Sequence, residues 1–151
     1  MNYKQRFIYF DTNKKKVFFF HLLYFFLLDI GLQFFAKIFN IHIVLFPFIF
    51  TSMIAHAFTF LVGFALTFFV FAYEFSLFFL RFKWLFLITL ILYSLSRWAY
   101  SRKHMPVITY LLFIVFCLLI DHDVSWNMLL YSAALNATLL NICSRYIAYY
   151  A

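Results

Sequence analysis

Glycine is nearly absent from this chain, which has two in 151 residues, and proline and cysteine are equally scarce at two each. With Gly31 and Gly63 alone, no glycine-rich loop can wrap a phosphate, which excludes a P-loop or dinucleotide fingerprint. Cys117 and Cys143 both fall inside apolar runs, so a disulfide framework is not expected and two small core residues are. No nucleophile elbow, zincin helix or haem-attachment motif occurs, and no cofactor is implied. Charge is the third shortage. Charged residues make up 11% of the chain, less than half of what a soluble surface carries. Six of them, Lys4, Arg6, Asp11, Lys14, Lys15 and Lys16, sit in the first sixteen positions. Water is therefore not expected to be the main solvent.

What fills the chain instead is apolar. Hydrophobic residues reach 68%, with 26 Phe among them. So many Phe residues suit an AT-rich genome, and an aromatic stripe here reads as lipid-facing surface before it reads as a cofactor box. The net charge of +7 does not point to nucleic acid, because the cations border apolar runs, where they answer to topology and to anionic headgroups. The expected fold is all-α: a polytopic transmembrane helix bundle of about six spans behind a basic N-terminal tail over 1–16.

A spanning helix needs about 20 residues, since about 30 Å of hydrocarbon is crossed at 1.5 Å per residue. The first span is placed at 17–36 and closed by Lys37; its length and the lack of a small-residue cleavage site mark it as retained. Residues 41–80 are almost unbroken apolar sequence, which as one helix would measure roughly 60 Å, so the chain must reverse within them. The reversal is placed near 55–60, giving spans at 41–56 and 60–80. Arg81, Lys83 and Trp84 mark the next interface, followed by a span at 84–100 and a cluster of Arg97, Trp98, Arg102, Lys103 and His104. Pro106 opens a fifth span to 120, Asp121-His122-Asp123 makes an acidic turn, and Ser125 or Asn127 caps a sixth at about 127–148. Six spans with the N-terminus inside leave nine basic residues inside and three outside; five spans leave seven and five. The positive-inside rule selects six, with both termini cytoplasmic.

Ionisable groups within spans are costly and so become candidates. Asp29 and Gln33 are four apart and share a helix face. Glu74 stands about two turns before Arg81. Each is expected to make interhelical hydrogen bonds or ion pairs, Lys37 being a partner available to Asp29; a proton path needs more acids at depth. Asp121, His122 and Asp123 are metal-ligand types, but adjacent residues seldom converge on one ion and no second group matches them. His21, His42 and His56 read as packing residues. Asn136, Asn141, Ser132, Ser144 and Arg145 give the last span a polar seam with small residues beside it, which suits close helix approach.

Short apolar motifs complete the reading: Gln33 ending the first span, Ile43-Val44-Leu45-Phe46-Pro47 entering the second, Leu61-Val62-Gly63-Phe64 entering the third, and Ser132-Ala133-Ala134-Leu135-Asn136-Ala137-Thr138-Leu139-Leu140-Asn141 in the last. The chain resembles the bacterial rod-shape-determining MreD family across nearly its whole length. That resemblance implies a six-span, non-enzymatic scaffold of the cell-wall elongation machinery in the bacterial inner membrane. It also implies MreC, the actin-like MreB and the elongation glycosyltransferase and transpeptidase as partners. The family usually has an acidic residue eight positions after the third-span glycine; here Phe71 stands there and Glu74 follows, so no family site is carried over. Two alternatives remain, a small hydrophobic subunit of an energy-transducing complex, for example in the mitochondrial inner membrane, and a substrate-binding subunit of a transporter.

Overall fold

A computed structural model describes residues 15–55, 58–75, 82–99, 104–120 and 126–150. The expected acidic turn at 121–123, the cap Ser125, the basic tail up to residue 14, His56, Arg81, Arg102 and Lys103 lie outside them. Among the described residues the fold is all-α, with six helices and no strands: α1 Lys15–Phe39, α2 Phe46–Ile54, α3 Phe60–Phe75, α4 Phe82–Trp98, α5 Met105–Ile120 and α6 Trp126–Tyr150. One of them, over Lys16–Phe39, is long and apolar enough to cross a membrane, while Phe60–Glu74 and Met105–Ile120 are shorter apolar helices. α6 matches α1 in length but carries Asn136, Asn141 and Arg145, which lower its apolarity.

The chain reverses inside 55–60, as expected: α2 ends at Ile54, Phe58 and Thr59 are non-helical, and α3 starts at Phe60. The segment before it differs from expectation. Residues 41–45 lie outside any helix, Leu45 already taking helical dihedrals as the cap of α2, so helix covers only the second part of the run at 41–56. The cause is local. α1 stops where Asn40 takes a left-handed φ of 57°, which Asn tolerates better than most side chains. The Ile41 amide then bonds back to the Ala36 carbonyl at 3.0 Å, a Schellman closure that turns the chain sharply. Pro47, in the first turn of α2, has no N–H to lose and opens the next helix.

α2 is the centre of the bundle although it is only nine residues long. It packs against α1, α3, α4 and α5, with α3 on α4 and α5 on α6 around it. Pro47 through Ile49 and Thr51 through Ile54 are buried. Phe48 is the pivot, edge-on to Phe71 at 5.4 Å, Tyr110 at 5.1 Å and Phe113 at 5.7 Å, an arrangement that aligns ring edges with ring faces. Near the end of α6, Tyr146 stacks on Tyr24 at 5.8 Å and meets Phe25 at 6.1 Å, which sets the N-terminal half of α1 beside the end of α6.

The outside of the bundle is as apolar as its inside. Phe20, Phe34, Leu61, Phe69 and Leu119 are each about two-thirds or more exposed, whereas Asp29, Thr51, Thr67, Thr89, Ser96 and Asn136 are buried. Most of the helical hydroxyls turn back on their own helix. Thr51, Ser52, Thr89, Thr109 and Ser144 each donate to the carbonyl four residues earlier at 2.6–2.9 Å.

Candidate functional site

The non-helical segment 41–45 creates a problem that polar side chains solve. Its backbone groups have no helix to pair them, and a buried unpaired amide costs about 1–3 kcal/mol. Asp29, fully buried on α1, takes the Leu45 amide on Oδ1 at 2.7 Å. Asn136 on α6 takes the Val44 amide on Oδ1 at 2.9 Å and donates from Nδ2 to the His42 carbonyl at 3.0 Å. The same Nδ2 also lies 3.1 Å from the Tyr110 hydroxyl and 2.8 Å from the Ser132 carbonyl. Two side chains from opposite ends of the sequence thus clamp one stretch of backbone.

Asp29 belongs to a second cluster. One turn further along α1, Gln33 donates from Nε2 to Asp29 Oδ2 at 2.9 Å and to Glu74 Oε2 on α3 at 2.8 Å. The amide carries two hydrogens, and each carboxyl takes one. The spacing of four that marked Asp29 and Gln33 as sharing a face is what makes this bridge possible. Glu74 reaches it because Thr67, Phe71 and Glu74 form one buried face of α3. The expected alternative, Lys37 paired with Asp29, gives way to this bridge. Lys37 is instead exposed, beside an open cleft of about 410 Å³ whose walls include Gln33, Lys37, Asn40, His42 and Glu74. Asn40 and Ile41 also border a neighbouring cavity of about 640 Å³ between the end of α1 and α6, lined by Phe39, Tyr131, Ser132 and Leu135.

The other expected positions are placed as follows. Asn141 is half-buried and Arg145 exposed on α6. His21 packs on Tyr146 at 6.2 Å and its Nδ1 lies 2.8 Å from the Val17 carbonyl; His42 is exposed at the cleft. Cys117 and Cys143 are free and buried. Among the described residues no group of three His, Cys, Asp or Glu side chains is arranged to hold a metal ion.

Sequence reasoning missed one cluster at the opposite end of α2. Arg97 reads as an interfacial cation, yet its Nη1 donates to the Ala55 and Phe58 carbonyls at 3.3 and 3.2 Å, and its guanidinium lies 5.8 Å from the Phe60 ring. It caps the negative end of α2 and spans the reversal. The fully buried Tyr93, one turn earlier on α4, sits over Gly63, where any Cβ would meet its ring. The signal was present as spacing: Tyr93 and Arg97 are four apart, and Gly63 is one of two glycines.

No family model, no curated protein and no solved structure matches this chain.

Proposed function

We propose that the chain is a polytopic protein of the bacterial inner membrane, with six spans and both termini cytoplasmic, and that it serves as a non-catalytic scaffold of the cell-wall elongation complex. The observation that carries the membrane part is the inverted polarity: large apolar side chains outside, Asp29, Glu74 and Asn136 inside. In water that exterior would aggregate, whereas in lipid it is the solvent-matched surface. At nine residues α2 is about 13 Å long, less than half the hydrocarbon thickness, so it needs the preceding non-helical segment to complete a crossing. Segments 41–45 and α2 together then make one discontinuous span. Non-helical backbone is tolerated at such depth only when buried in protein, and here Asp29 and Asn136 bond it. The contact of Tyr24 with Tyr146 supports both termini lying on one side, and the basic residues choose the cytoplasmic one.

The scaffold part is supported by the MreD-like pattern of the spans and by the use of the buried polar groups. Asp29, Gln33 and Asn136 are engaged in holding backbone and neighbouring helices. Affinity purification of the full chain in mild detergent tests it. Co-purifying wall-synthesis proteins are expected; respiratory subunits in their place would overturn the assignment. A solute-binding role has one observation in its favour, the cleft beside Glu74. A small molecule retained through purification in place of protein partners would select that role.

A further inference from the structure

We infer that the cleft between α1, the non-helical segment 41–45 and Glu74 is a binding site for a zwitterion with a primary ammonium and an anionic group, as in a phosphoethanolamine lipid headgroup. The inference rests on the membrane reading above. The walls carry both signs of charge. Glu74 stands on one side, hydrogen-bonded to the Gln33 amide, and Lys37 and His42 stand at the opening. The Gln33 amide neutralises no charge, and the two carboxyls, in hydrogen-bond contact with each other, share one proton, which leaves one positive charge to be supplied by a cation that enters. An ammonium group supplies that charge together with N–H donors, while Lys37 meets the anionic group of the same molecule.

Position favours the lipid as source. Eight residues of helix separate Asp29 from Lys37, about 12 Å, so the cleft runs from headgroup level at Lys37 down toward the carboxyl pair. On the other side of Asn40 and Ile41, the second cavity offers an apolar wall for a chain. Asn40, Tyr131, Ser132 and Thr138 add polar groups to that wall. A phosphate contact alone would leave Glu74 unexplained, and a quaternary ammonium has no N–H to donate to a carboxylate.

The test uses the full chain, purified in detergent, stripped of lipid and offered phosphatidylethanolamine, phosphatidylcholine and phosphatidylglycerol of the same acyl composition, read by native mass spectrometry. Soluble phosphoethanolamine is offered in parallel. Phosphatidylethanolamine is expected to bind best. Glu74→Gln should weaken it roughly tenfold or more, as loss of a charge-assisted bond does, and leave phosphatidylglycerol unchanged. Lys37→Gln, at the exposed rim, should weaken both lipids without touching the core, which keeps the test sound if Glu74→Gln folds poorly. Equal affinity for soluble phosphoethanolamine supports the zwitterion site and assigns its source to a free solute. Equal binding of all three lipids, unaltered by either substitution, would overturn the site. A chain that stays soluble without detergent would overturn the membrane reading instead, so the two failures are told apart.

Discussion

Gln33 on α1 and Glu74 on α3 are forty-one positions apart in sequence and 2.8 Å apart in space, and the same Gln33 nitrogen holds Asp29 at 2.9 Å. One neutral amide therefore holds two carboxyls that also contact each other in the buried interior. Replacing it with leucine keeps roughly the volume and removes both donors. Gln33→Leu is expected to destabilise the protein by about 1.5–3 kcal/mol, the range for a bond to a charged acceptor. Glu74→Gln retains an oxygen to accept from Gln33 and an N–H to donate to Asp29, so it should cost less. Reversible unfolding in mixed micelles measures both; a Gln33→Leu protein as stable as wild type would show that the bridge is not structural.

Asn136 ties α6 to the backbone of the 41–45 segment. Its side chain satisfies Val44 N–H and the His42 carbonyl, and both lose their partner in Asn136→Leu. The expected cost is about 2–4 kcal/mol, from two buried backbone groups left unpaired at about 1–3 kcal/mol each and partial relaxation between them. Hydrogen exchange gives the sharper readout. The Val44 amide should lose protection selectively, with Leu45, held by Asp29, less affected. Uniform loss along the chain would mean that Asn136 supports the fold in general and not this segment.

Much of this architecture was legible in the chain, for identifiable reasons. Apolar run length and border charges are one-dimensional signals, so the six helices and the reversal between Ile54 and Phe60 could be placed. The shared face of Asp29 and Gln33 followed from their spacing. The non-helical stretch at 41–45 could not be read, because Ile41-His42-Ile43-Val44-Leu45 is apolar enough for a buried helix or a buried strand. What decides between them is the left-handed Asn40 before it and two acceptors supplied by Asp29 and Asn136. Those are long-range facts. Arg97 was misread for a related reason: a cation beside Trp98 looks like an interface marker until the carbonyls of Ala55 and Phe58 are seen to converge on it.

Arg97 itself yields a prediction that separates charge from shape. A lysine preserves the cation and loses the planar fork that reaches two carbonyls while lying against Phe60. Arg97→Lys and Arg97→Gln are both expected to lower stability, by about 1–2 kcal/mol for the glutamine and measurably for the lysine. Thermal denaturation in detergent reports the order. A lysine variant equal to wild type would reduce the role of Arg97 to a point charge near the α2 terminus.

Gly63 offers the test of packing between α3 and α4. A methyl group there would run into the Tyr93 hydroxyl and approach its Cζ to 2.9 Å, closer than neighbouring carbons tolerate. Tyr93 is fully buried and its hydroxyl lies 3.4 Å from the Ala55 carbonyl, so the ring has little room to withdraw. Gly63→Ala is therefore expected to destabilise by about 1–3 kcal/mol, in spite of alanine's better helix propensity. Removing the nearest atom with Tyr93→Phe should relieve part of the clash, so the double variant should lose less than the two single losses combined. Additive losses in that cycle would place the strain elsewhere, because independent sites add and touching ones do not.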